Sequence, residues 1–179
     1  MAERLHSHLW IMRLIYLCLC ITMMFLHLLP QDTSARSWAG PDLVLALSAA
    51  WVLRRPEFVP MPLIAAVFLM TDLLYQMAPG LWAGLVVIGT EALRARAPGL
   101  RDLSFAAEWS AVAVTLTAMT IGYQLILFVT MAERPPLDLN LMQLVMTLAA
   151  YPLVVIASQV IFGVRKQTPG DLDTLVNRR

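Results

Sequence analysis

Residues 40–82 read GPDLVLALSAAWVLRRPEFVPMPLIAAVFLMTDLLYQMAPGLW. Two segments rich in Leu, Val, Ile, Ala and Met flank a proline-bounded turn that carries Arg54, Arg55 and Glu57. Neither segment has a polar face to turn toward water, so the stretch reads as a helical hairpin in a lipid bilayer. Asp42 and Asp72 lie at the edge of one apolar run and inside the other. An ionisable side chain in such a place needs a partner or a purpose.

The whole chain agrees with its central stretch. It has 179 residues, 59% of them hydrophobic and 14% charged, with a mean hydropathy of +0.70. One small globule cannot enclose that much apolar surface, which places the chain in a membrane. The net charge is +1 and the basic residues are dispersed. No clustered basic face exists for a phosphate backbone, so nucleic acid is excluded as a partner. Cys18 and Cys20 stand two apart in an apolar helical run and project about 200° from one another. They can neither bridge nor share a metal, and they read as small hydrophobes.

In chain order the pattern predicts an all-α bundle of six spans at about 9–29, 42–53, 61–78, 81–93, 105–131 and 139–164. Residues 1–164 form one transmembrane domain, and 165–179 a polar cytoplasmic tail. The first segment lacks a small-residue cleavage pattern and is too long for a signal's apolar core, so it reads as a permanent helix. Arg13 lies one turn inside that helix, from where its stem can snorkel to the headgroups. Trp38 is an expected interface anchor. Pro41 and Asp42 are a start signal, because proline suits the first helical turn and an acid there favours the helix dipole. Pro152 is expected to kink the last span.

The basic residues supply the topology. With six spans and a cytoplasmic amino terminus, Arg4, Arg13, Arg54, Arg55, Arg94, Arg96, Arg101, Arg165, Lys166, Arg178 and Arg179 fall on the inner side, which is 11 of 13. Only Arg36 and Arg134 remain outside, in accord with the positive-inside rule. Both termini are then cytoplasmic. The inner arginines are expected to set orientation and to meet lipid headgroups. Segments two and four share a short length and an ending in LRRP and LRARAP, a faint internal echo for which the way short inward helices end is the plain reading and a duplicated helical hairpin the sharper one.

No catalytic constellation is visible. The three histidines do not cluster with cysteines or acids, no glycine loop cradles a phosphate, and no Ser, His and acid set is recognisable. Asp72 is the only acid read as deeply placed. Its ordinary role is to accept hydrogen bonds from neighbouring helix groups; a partner contact or a proton-coupled site is the alternative. Asp42 stabilises a helix start. A polar and aromatic outer rim of Trp38, Asp42, Asp72, Tyr75 and Trp82 is one expected arrangement.

Pro41 and Asp42 opening an apolar helix, Trp51 near its end, the turn Arg54, Arg55, Pro56, Asp72 followed by Leu73, and then Pro79, Gly80, Leu81 together resemble the rod shape-determining MreD family. The resemblance is carried by residues 40–93, with length and span number agreeing over the rest. Where family members commonly have glycines before the acid, this chain has Ala65 and Ala66. The resemblance implies a non-enzymatic scaffold of the bacterial inner membrane that supports lateral peptidoglycan synthesis, with no cofactor. It implies contact with the transmembrane helix of MreC and, through it, with MreB, RodA and its transpeptidase partner. It also implies a fold similar to the substrate-binding subunits of vitamin transporters. A small-molecule binding subunit is therefore the second expectation, needing a cavity lined by Asp42, Asp72, Tyr75, Trp82 or Gln124.

Overall fold

The computed structural model describes residues 2–28, 39–76, 78–100, 103–132 and 136–163, with side chains from Ser7 onward. Trp38, Arg101, Arg165, Lys166 and the 165–179 tail lie outside the described residues. Six α-helices and no strands occur among those described: α1 (Ala2–Leu28), α2 (Leu43–Arg54), α3 (Met61–Leu74), α4 (Leu81–Leu100), α5 (Phe105–Val129) and α6 (Leu137–Phe162). Three of them are long and apolar enough to cross a membrane, over Ser7–Leu28, Phe105–Val129 and Leu137–Phe162.

The helix ends follow from local chemistry. α2 stops because Pro56 forces the preceding Arg55 out of the helical region, to φ −146°. Pro60 precedes α3 and Pro62 sits within its first turn, where a missing N–H costs nothing. At the other end of α3 the predicted span to residue 78 is too long. The helix finishes at Leu74, Tyr75 caps it, and Gln76 takes a left-handed φ of 54°. α4 is longer than predicted, continuing past Leu93 to Leu100 through RARAPG. Ala, Arg and Leu favour helix, and Pro98 comes late enough to disturb only the last turn. α1 likewise begins at Ala2, seven residues before the predicted apolar start. α6 runs through Pro152 and ends at Gly163, whose φ of 64° is the left-handed cap that glycine takes without strain.

α2 is the axis of the bundle. Every residue from Val44 to Arg54 is buried, with α1, α4 and α6 packed around it. This explains how a helix of only about 18 Å is accommodated. Its neighbours, not lipid tails, surround it, so its length need not match a bilayer. Trp51 fills the centre, fully buried, with Tyr16, Phe58 and Phe162 ring centroids at 5.7, 6.3 and 5.9 Å. α3 packs on α4 and α4 on α5. α5 packs directly on Gly89 of α4, where a Cβ would run into Sδ of Met119 and lie 3.3 Å from Cγ2 of Thr115. α1 is attached more lightly, through α2 and α3.

Side-chain contacts show which ends of the helices lie together. Arg13 donates to the Glu57 carbonyl at 3.2 Å and Arg94 to the Val59 carbonyl at 2.5 Å. Early α1, the α2–α3 turn and late α4 therefore share one end. Asp72 accepts from the backbone N–H groups of Gly80 and Ala83 at the opposite end of α3 and α4.

Candidate functional site

The most tightly constrained polar group sits where α2, α5 and α6 meet. Arg54 Nε donates to Oε1 of Glu108 at 3.1 Å and its Nη2 to Oε2 at 3.3 Å, a two-pronged ion pair. The side chains are 3% and 0% exposed. Tyr151 adds a third hydrogen bond, its hydroxyl donating to Oε1 at 2.9 Å. Phe105 stacks on the Tyr151 ring with centroids 6.3 Å apart, closing one side. One turn earlier on α2, Trp51 Nε1 donates to the Ser158 hydroxyl at 3.1 Å, a second tie to α6. A charge-assisted fork of this kind is strong where water is absent, and each ion needs the other to remain buried.

This corrects the expectation that Arg54 meets lipid headgroups, because packing has enclosed its side chain. It also corrects the view that Asp72 is the only deeply placed acid. Glu108 escapes notice in the sequence because an acid four residues after Ser104 is the ordinary content of a helix's first turn. One signal was available: an arginine ending one apolar helix and a glutamate inside another can cancel each other.

The two aspartates act at helix starts. Asp42 caps α2, its Oδ1 accepting from Leu45 N–H at 2.9 Å, as the sequence suggests. Its own N–H donates to Oγ1 of Thr147 at 2.9 Å, which fastens the start of α2 to α6. Pro41 lies half-buried just before it. Asp72 is fully buried and caps a different helix from its own. Its Oδ2 accepts from Gly80 at 2.9 Å and from Ala83 at 3.1 Å, so it neutralises the start of α4 across the turn. Its Oδ1 has no hydrogen-bond partner among the described residues.

The expected outer rim is divided among separate contacts. Tyr75 packs on His27 with centroids 5.0 Å apart, and Trp82 meets Tyr123 edge-on at 5.5 Å. Asp72 and Trp82 come together at the α3–α4 junction, where Asp72 accepts from the backbone of the first turn of α4, whereas Asp42 stands at the start of α2. Of the other predicted arginines, Arg55 is half-buried beside Glu57 at 3.4 Å, Arg94 lies 3.2 Å from Glu91, and Arg96 is exposed. Cys20 is buried and Cys18 exposed, as their helical spacing requires.

Among the described residues no three His, Cys, Asp or Glu side chains gather to hold a metal. An open apolar groove of about 320 Å³ runs along α1, lined by Ile11, Leu14, Ile15, Cys18, Leu19, Thr22 and Phe162. None of the five residues expected around a small-molecule cavity borders it. Compared with protein-family models, curated proteins and solved structures, the chain matches none.

Proposed function

We propose that this protein is a non-enzymatic membrane scaffold of the bacterial cell-elongation machinery, which binds its partners through the outer flanks of its helices. One observation carries this reading: the core turns its strongest charges on one another while the outer faces stay apolar. Arg54, Glu108 and Tyr151 bond to one another, with only Nη1 of Arg54 left without a partner among the described residues, and Asp42 and Asp72 each accept from backbone N–H groups at a helix start. Trp10, Ile11, Leu14 and Phe25 on α1, Val114, Ile121 and Leu125 on α5, and Leu141, Val145 and Leu153 on α6 point outward. Surfaces of that kind associate with other helices in lipid by close packing.

The choice of the elongation machinery rests on the resemblance of residues 40–93 to the MreD family. In this reading all six helices cross the inner membrane with both termini in the cytoplasm, and the fold is akin to that of the vitamin-transporter subunits. The gathering of Arg13, Arg54, Arg55 and Arg94 at one end of the bundle supports that orientation. The partner helix is that of MreC; MreB, RodA and its transpeptidase partner associate through it.

Depletion of the protein in its host tests the function. Loss of rod shape is the expected result, and photo-crosslinkers on the outward positions of α1, α5 and α6 should trap the MreC helix. A nutrient-specific growth defect with normal shape would overturn the scaffold in favour of a small-molecule binding subunit.

A further inference from the structure

The α2–α3 turn is held by arginines from three places in the chain. Arg13 of α1 donates to the Glu57 carbonyl, Arg94 of α4 to the Val59 carbonyl, and Arg55 lies beside the Glu57 carboxylate and over the Phe58 ring at 5.9 Å. Three guanidinium groups therefore gather at one six-residue turn, at the end of the bundle that the orientation proposed above, on which this inference rests, puts at the membrane surface. Among the described residues, Glu57 lies 3.4 Å from Arg55 and Glu91 lies 3.2 Å from Arg94, two carboxylates against three guanidiniums.

The donors outnumber the acceptors further still. A guanidinium carries five N–H groups. Arg13 spends one on a carbonyl, and its Nε, like that of Arg94, is buried without a hydrogen-bond partner among the described residues. All three side chains are only half-buried, so the rest of each fork reaches the surface. Arg13 also lies 5.4 Å from the ring of Trp10, an indole exposed on the same helix at the level where amphipathic rings meet headgroups.

We infer that Arg13, Arg55 and Arg94 around the 55–60 turn form a binding site for a phosphate group carried by an anionic phospholipid. Planar forked donors match phosphate oxygens two at a time, and the apolar flank of α1 beside them suits acyl chains. The carbonyl bonds hold Arg13 and Arg94, and the Glu57 carboxylate holds Arg55, before the lipid arrives, so less side-chain freedom remains to be lost on binding.

The test uses the full-length chain, delipidated in neutral detergent, titrated with phosphatidylglycerol or with phosphatidylcholine of the same acyl chains and followed by native mass spectrometry. Phosphatidylglycerol should bind in preference. R13Q/R94Q should weaken it about 25-fold, at about fivefold for each arginine near a lipid surface. R96Q, an exposed arginine without a contact to the turn, should leave binding unchanged. Should the double variant fail to fold, R55Q, which spares both carbonyl bonds, should still lose about fivefold. Equal binding of the two lipids, an unaltered R55Q, or an R96Q loss as large as that of R55Q overturns the site. Binding of inorganic phosphate with none of phosphatidylglycerol overturns the lipid as its source.

Discussion

Replacing Glu108 by Ala should be among the most damaging single changes in the protein. It leaves the Arg54 guanidinium 3% exposed with neither carboxylate oxygen to receive its Nε and Nη2 donors, and it strands the Tyr151 hydroxyl. Removing one partner of a buried ion pair costs about 3–5 kcal/mol, because the remaining charge stays desolvated. At about 2–4 °C per kcal/mol for a chain of this size, the unfolding midpoint in detergent should fall by about 6–20 °C. The companion variant R54M/E108L removes both charges at similar volume and should be much milder, since replacing a complete buried pair by apolar groups is often neutral. The measurement is a double-mutant cycle of thermal unfolding on R54M, E108L, E108A and the pair. An E108A protein as stable as the parent, or a double variant whose loss equals the sum of the singles, would refute the idea that the pair is mutually dependent.

Four further outcomes are expected. Gly89→Leu should separate α4 from α5 and lower stability by about 1–3 kcal/mol in a detergent unfolding assay, and Met119→Ala in the same chain should recover part of the loss. Asp72→Ala should cost about 0.5–2 kcal/mol and speed amide exchange at Gly80 and Ala83, whereas Asp72→Asn, which keeps an acceptor oxygen, should retain most of both stability and function; loss of function in D72N at an unchanged membrane level would show that the charge itself is needed. Trp51→Ala should cost about 3–5 kcal/mol by opening a cavity between α1, α2 and α6, and Trp51→Phe far less, as read from midpoint shifts. A charged thiol reagent should leave both Cys18, at the middle of the membrane-crossing α1, and the buried Cys20 unmodified in the folded protein and alkylate both after unfolding in detergent, which peptide mass mapping will check.

Composition and pattern determined by themselves that the chain is helical and apolar, and roughly where its helices lie. These are local properties: Pro41 and Asp42 start α2 and Pro56 stops it through backbone preferences that do not depend on the fold. The cap by Asp42 was legible for the same reason, since donor and acceptor are three residues apart. Tertiary structure alone decided that the short α2 is the enclosed axis of the bundle, because enclosure depends on how many neighbours surround a helix. It alone turned Arg54 inward to meet Glu108, 54 positions away, and carried Asp72 to the start of the next helix. An electrostatic partner is set by distance in space, and the chain order of two charges says nothing of that distance until the helices have packed.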